Sequence, residues 1–193
     1  MRHCIGIEDE AFLRGDVPMT KREIRILTLA KARIAPGDVV WDIGAGTGSL
    51  SVEAALLAEK GGAVFAIERQ AEGCELIRRN AAKFGAANLT VVEGAAPEAL
   101  AKLPVPDVVL IGGSGKALPE ILSIVDEKLK PGGRMVLNTV TVESLYETLA
   151  ELEKRPQYDC DAMQAQITRL PKRGRYHMAQ ALNPIAIVAC IKH

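Results

Sequence analysis

The run Asp42–Ile43–Gly44–Ala45–Gly46–Thr47–Gly48 holds the clearest chemistry in the sequence. Glycines at alternate positions let a backbone come closer to a bound ligand than any side chain would permit. A nicotinamide fingerprint would read GxGxxG; here the third glycine arrives one residue early, and Ser49 stands where that pattern wants glycine. Glu68 follows Gly48 by twenty residues. An acid there, ending the next strand, can accept both hydroxyls of a ribose. Glu93–Gly94–Ala95–Ala96 and Ile111–Gly112–Gly113–Ser114–Gly115 are two further turns of small residues. Near the carboxyl end, Arg169, Lys172, Arg173 and Arg175 fall within seven positions. Such a cluster suits a ligand studded with carboxylates, which Arg grips bidentately, or it is the solvated tip of a hairpin. His177 beside it is either a proton carrier or a structural imidazole.

These turns need a scaffold that brings them to one edge. Ile24, Leu27 and Ala30–Lys31 give a helix an apolar face, with Thr20 and Glu23 spaced as a capping box and Pro36–Gly37–Asp38 as the break. The apolar run Val39–Ile43 then reads as a buried parallel strand. Helices are predicted over 49–60, 70–84, 117–129 and 142–154, and strands over 63–67, 89–93, 108–111 and 134–139. Strands alternating with helices of this length mean βαβ units and a parallel sheet. After Pro156 the rhythm changes: segments 159–170 and 183–191, joined across 171–175, suggest a closing antiparallel hairpin. The expected class is therefore α/β, with a mostly parallel seven-stranded sheet. It forms one domain of lead-in and helix (1–37), βα core (38–155) and hairpin (156–193).

Composition removes several alternatives. The 193 residues include 48% hydrophobic and 25% charged, an ordinary globular balance large enough to fold without staples. Lys plus Arg and Asp plus Glu are each 24, so no overall charge draws the chain to nucleic acid or to an anionic membrane. Aromatics at 4% are too few for a base-stacking surface. Cys4, Cys74, Cys160 and Cys190 form no CxxC pair, which disfavours zinc, and they read as free thiols in a reducing cytosol. No apolar run reaches the roughly 18 residues of a membrane span, and no signal-peptide core is present. The expectation is a soluble, cytoplasmic protein without a metal.

The GxGxG turn with its leading Asp42 resembles motif I of the class I S-adenosylmethionine-dependent methyltransferases, which have a Rossmann-like fold. That resemblance implies S-adenosylmethionine as cofactor. The implied site is Thr20, Asp42, Gly44, Ala45, Gly46, Thr47, Gly48, Glu68, Arg69, Gly94, Ala95, Ala96 and Gly112. The superfamily usually has Asp where Ala95 stands, so backbone groups near Ala95 and Ala96 are left to meet adenine. The turn after the fourth strand lacks the Asn/Asp-Pro-Pro-aromatic signature of adenine amino-methyltransferases, and no acidic triad for a magnesium site is visible. The substrate is then expected to be intrinsically nucleophilic, and no catalytic base is assigned.

A narrower resemblance spans nearly the whole chain. Gly6–Ile7–Glu8–Asp9–Glu10–Ala11–Phe12, Val17–Pro18–Met19–Thr20–Lys21–Arg22–Glu23, Glu93 to Leu100, the Gly112–Gly113–Ser114–Gly115 turn and Leu129–Lys130–Pro131–Gly132–Gly133–Arg134 are similar to the cobalt-precorrin carbon-15 methyltransferases (decarboxylating) of cobalamin biosynthesis. The same domain also ends the precorrin-6Y carbon-5,15 enzymes. The resemblance implies methyl transfer to carbon 15 of a cobalt-precorrin, loss of carbon dioxide from the ring-C acetate, and a homotetramer. The corrinoid's carboxylates would fall to Arg169, Lys172, Arg173 and Arg175. A methyltransferase for RNA or protein and a non-catalytic cofactor-binding module are the competing readings. The near-zero charge weighs against RNA, and the intact turn with Glu68 weighs against the module.

Overall fold

The computed structural model describes residues 5–193, so Cys4 lies outside it. Helix α1 (Arg22–Ala32) precedes five strands, four of them followed by an α-helix: β1 (Val39–Ile43), α2 (Ser49–Ala58), β2 (Ala63–Glu68), α3 (Ala71–Phe84), β3 (Leu89–Glu93), β4 (Val108–Ile111), α4 (Leu118–Lys128), β5 (Arg134–Thr139) and α5 (Val142–Glu153), with only a short 3-10 turn between β3 and β4. The chain closes with β6 (Tyr158–Ala165), four two-residue strands and β11 (Ile185–Lys192). The seven-stranded sheet runs in the order β3-β2-β1-β4-β5-β11-β6. Its first five strands are parallel, and β11 is antiparallel to both β5 and β6.

The strands are apolar on both faces because helices cover both. Val40, Val108, Leu110, Val136 and Ile187 pack with α1 and α2 on one side. Trp41, Ile43, Val109, Ile111, Met135, Leu137 and Val188 pack with α4 and Leu152 of α5 on the other. Adjacent residues thus serve opposite layers, as the two-residue period of a strand requires. Among the described residues no helix is long and apolar enough to cross a membrane.

Three expectations need correction. Thr20 does not cap α1. The helix starts at Arg22, and its first N–H is met by the Asp9 carboxylate at 2.9 Å, from a turn thirteen residues earlier. Glu23, the other half of the supposed capping box, is drawn away by Arg169.

Nor is the hairpin a simple one. The predicted strand 159–170 stops at Ala165, and its partner begins at Ile185, just after Pro184, which has no N–H for a ladder. Between them the chain forms an arm of two small ladders: β7 (Thr168–Arg169) with β10 (Gln180–Ala181), and β8 (Lys172–Arg173) with β9 (Tyr176–His177).

The cysteines are not all free thiols. Cys160 and Cys190 lie opposite each other in the β6·β11 register, with Cα atoms 4.1 Å apart, and form a disulfide. Antiparallel pairing brings together two cysteines 30 residues apart that spacing alone does not relate. Cys74 is free and buried.

Candidate active site

The sheet order reverses between β1 and β4, where the chain winds first one way and then the other. Crevices beyond the carboxyl ends of strands at such a point are where open α/β sheets hold ligands. The turns that leave β1 and β4 meet there backbone to backbone. A Cβ on Gly44 (φ +74°) would come within 2.5 Å of the Gly113 carbonyl oxygen. Only glycine satisfies both the left-handed backbone and that approach. Gly46 (φ +58°) faces the lead-in, where a Cβ would sit 2.9 Å from the Pro18 carbonyl oxygen.

Glu68 is the hinge of this arrangement. It ends β2 and is almost buried. One carboxylate oxygen accepts the Gly46 N–H at 2.8 Å, and the other accepts those of Arg69 and Gln70, each at 2.9 Å. Three backbone donors therefore fix the carboxylate and tie the glycine turn to it. Room for this comes from Gly73 in α3, where a Cβ would lie 2.7 Å from Glu68 Cγ and 3.1 Å from the Gly46 carbonyl oxygen.

Behind the turn sits Asp42, fully buried, with its carboxylate accepting the Ser51 hydroxyl. Burial pushes its pKa from 3.8 up to about 6, against the Ser51 hydrogen bond, and the charge of Glu68 adds to the rise.

A cleft of about 580 Å³ opens over these turns, a size suited to a cofactor with part of a substrate. Ten of the expected cofactor residues line it: Thr20, Gly44, Ala45, Gly46, Glu68, Arg69, Gly94, Ala95, Ala96 and Gly112. Asp42, Thr47 and Gly48 do not; they hold the turn from beneath. The Thr47 carbonyl receives Asn80 Nδ2 at 2.9 Å, and a Cβ on Gly48 would strike Ile77.

The strand order divides the cleft. The half over β2 and β3 carries Glu68, Arg69, Gly94 and Ala95, and the half toward α1, β5 and the arm carries Lys21, Ile24, Asn138, Val140, Ile167 and Ile185. The second half is the part that motif reading misses. Its residues come from the lead-in, from the end of β5 and from the arm, of which only the lead-in carries a motif. The lead-in motif was the one available signal for Pro18 and Met19, which also line the cleft.

The hairpin cations stand elsewhere. None of Arg169, Lys172, Arg173 and Arg175 lines the cleft. Lys172, Arg173 and Arg175 are exposed along the arm, as is His177. Arg169 is already committed to Glu23 at 3.0 Å and Asp9 at 3.5 Å, fastening the arm to α1 and the lead-in.

Comparison with known proteins fits this geometry. A model of the precorrin methyltransferase domain matches residues 10–192. The chain belongs to the precorrin methyltransferase family. A relative from Pyrobaculum calidifontis, named "probable cobalt-precorrin-6B C(15)-methyltransferase (decarboxylating)", is 44% identical over 95% of this chain and 94% of its own length. The cobalt-precorrin-6B C(15)-methyltransferase (decarboxylating) of Salmonella typhimurium is 36% identical, covering 96% of each chain. The crystal structure of precorrin-6Y C5,15-methyltransferase from Geobacter metallireducens superposes with a TM-score of 0.91 at 41% identity over 97% of each chain. As a precorrin methyltransferase, the chain has its lead-in and arm within the matched span, so the whole cleft belongs to the family domain.

Proposed function

We propose that the cleft binds S-adenosylmethionine and methylates carbon 15 of a cobalt-precorrin, with loss of the ring-C acetate carboxylate as carbon dioxide. The observation that supports this most directly is the division of one cleft into a glycine-walled half with a fixed acid and an apolar half beside it. The names of the relatives supply the substrate class.

The residues present fit the cofactor. Glu68 keeps its carboxylate at the lip of the glycine turn, and a Cβ on Gly44 or Gly46 would destroy the turn's shape. S-adenosylmethionine, when bound, supplies a methyl group already activated on a sulfonium. In this reading Glu68 accepts the ribose hydroxyls, with Arg69 beside it. Backbone groups at Gly94, Ala95 and Ala96 meet the adenine, and Gly44 to Gly46 and Gly112 approach the chain near the sulfonium. Thr20 belongs to the lead-in wall.

The chain's part in the chemistry is then orientation and exclusion of water. The macrocycle would supply the electron pair for the new carbon–carbon bond, while the pair of the methyl–sulfur bond would leave on the neutral thioether. The pair released when the acetate C–C bond breaks returns to the macrocycle, carbon dioxide departs, and the carbon left behind takes a proton. Holding an electron-rich carbon in line with the methyl donor accounts for up to about 7–11 kcal/mol of the barrier. No side chain is assigned as general base.

Incubation with cobalt-precorrin-6B and S-adenosylmethionine, read by mass spectrometry, tests the proposal. Each product should gain one methyl group and lose one carbon dioxide. A product methylated without decarboxylation, or no product, would overturn it.

A further inference from the structure

We propose that Lys21 grips a carboxylate that the corrinoid keeps, and that the apolar wall beside it receives the acetate that is lost. The inference rests on the function proposed above and assigns the substrate half of the same cleft.

Charge bookkeeping within the cleft carries it. Only three lining side chains are charged, Lys21, Glu68 and Arg69. Glu68 and Arg69 are neighbours at the end of β2, in the half assigned to adenosine. Lys21 is therefore the single charge in the other half. It is exposed and directly precedes α1, with Ile24 one turn further along the same wall.

Every acid near the start of α1 is already taken. Glu8 pairs with Arg22, Asp9 and Glu53 with the buried Arg25, and Glu23 with Arg169. Lys21 has neither an ion pair nor a side-chain hydrogen bond among the described residues. A cation left free at the mouth of a cleft whose substrate carries carboxylates has that substrate as its natural partner.

The remaining lining of this half is Ile24, Val140, Ile167, Leu182 and Ile185, with the amides of Asn138 and Asn183. Thr28 fixes the Asn138 amide: its hydroxyl donates to the Ile24 carbonyl at 2.8 Å and accepts Asn138 Nδ2 at 3.0 Å.

The reaction decides which carboxylate goes where. Decarboxylation moves negative charge out of the carboxylate and into the ring. A cation paired with the departing carboxylate would stabilise the starting state more than the transition state and slow the step. Lys21 therefore belongs with a retained side chain, and the departing acetate with the isoleucine, leucine and valine wall.

Steady-state kinetics of Lys21→Gln, Lys21→Glu and Lys21→Arg with cobalt-precorrin-6B at two ionic strengths test this, alongside calorimetric binding of S-adenosylmethionine. Lys21→Gln should raise KM for the corrinoid by up to about fivefold, the upper end for an exposed ion pair. Lys21→Glu should raise it further and Lys21→Arg should restore it. The difference should shrink with salt, and cofactor affinity should not move.

An unchanged KM in Lys21→Gln overturns the proposal. So does a rise in kcat, which would place Lys21 at the departing carboxylate, a loss that falls on kcat alone, which would place it against the transition state and not on a retained side chain, or a loss of cofactor binding, which would place it in the adenosyl half. If the wild-type protein binds the cofactor but leaves the corrinoid untouched, the proposed function itself fails. If the wild type turns over and Lys21→Gln matches it, only Lys21 is reassigned.

Discussion

Glu68 unites two jobs that mutation can separate from folding. Its carboxylate organises three backbone donors and, in the proposed function, accepts the ribose hydroxyls. Glu68→Ala should weaken S-adenosylmethionine binding by roughly 1.5–3 kcal/mol, the usual value of hydrogen bonds to a charged group, and titration calorimetry measures it directly. Gly73→Ala is a sharper test of the same carboxylate. Alanine normally improves a helix over glycine by about 1 kcal/mol. Here its Cβ would meet Glu68 Cγ at 2.7 Å and force the acid to move. Cofactor affinity should fall, and the melting temperature should fail to rise as a bare helix substitution predicts. A glycine inside a helical pattern was visible in the sequence; what it packs against was not. Asp42 gives a pH signature. Its folded pKa of about 6 lies above the ordinary 3.8, so the folded state holds the proton more tightly. That stabilisation is complete below about 4 and is lost as pH rises through 6. Ionising Asp42 then costs about 3 kcal/mol at most, at about 1.4 kcal/mol for each pH unit between 3.8 and 6. Asp42→Asn, which cannot ionise, should gain stability relative to wild type between pH 4 and 7 in denaturant melts. A constant difference across that range would show that Asp42 does not titrate there.

The element that does most for the site with almost no regular secondary structure, a single 3-10 turn at Asp9–Ala11, is the lead-in before α1. It supplies Val17, Pro18, Met19 and Thr20 to the cleft wall, and it is bolted down by side chains from three helices. Arg25 of α1, fully buried, pairs with Asp9 at 2.8 Å, bonds to the carbonyls of Ile7 and Thr20, and stacks over the Phe12 ring at 4.8 Å. From α2, Glu53 completes its ion pairing at 2.8 Å. Asn80 of α3 bonds both the N–H and the carbonyl of Leu13, at 2.8 and 3.1 Å. Arg25→Met should leave the buried Glu53 without an ion-pair partner and Asp9 with only Arg169 at 3.5 Å, which costs about 3–5 kcal/mol. A fall in melting temperature together with weaker cofactor binding is expected; a stable variant with unchanged affinity would show that the lead-in does not depend on this pair. This is also where sequence reading reaches its limit. Strands β1 and β5 are legible residue for residue, because runs of branched apolar residues bounded by Pro-Gly turns have few alternatives in an α/β chain. The glycine turn and Glu68 are legible because backbone approach and ribose recognition constrain spacing. The Asp9 cap on α1, the Arg25 cluster and the arm's two-residue ladders depend on residues brought together from afar. They leave no period in the sequence.

At the scale of the whole molecule, the sheet order sets cofactor half and substrate half side by side, while the outer part of the arm, beyond Ile167 and Leu182, and the exposed face of α5 line neither. Those outlying parts carry the apolar surface that folding leaves over. Val142, Tyr146 and Leu149 recur at positions i, i+4 and i+7 of α5 and are 79%, 75% and 39% exposed. Leu170, Tyr176 and Met178 on the arm are each about 60% exposed. A monomer seldom leaves contiguous patches of this kind in water. The chain's formal net charge of zero also offers no long-range repulsion between copies. We propose that the enzyme is a homo-oligomer, with the α5 face and the arm as contacts between copies. Sedimentation equilibrium should find wild type above the monomer mass. Val142→Glu with Tyr146→Glu, and separately Tyr176→Glu with Met178→Glu, should each lower it, because every copy in a symmetric assembly receives the new charges at the same interface. None of these four residues lines the cleft, so S-adenosylmethionine affinity should survive in the dissociated variants. A wild type that sediments as a monomer would reassign both patches to ordinary surface. A variant pair that leaves the mass unchanged would remove that one face from the interface and leave the other to be tested alone.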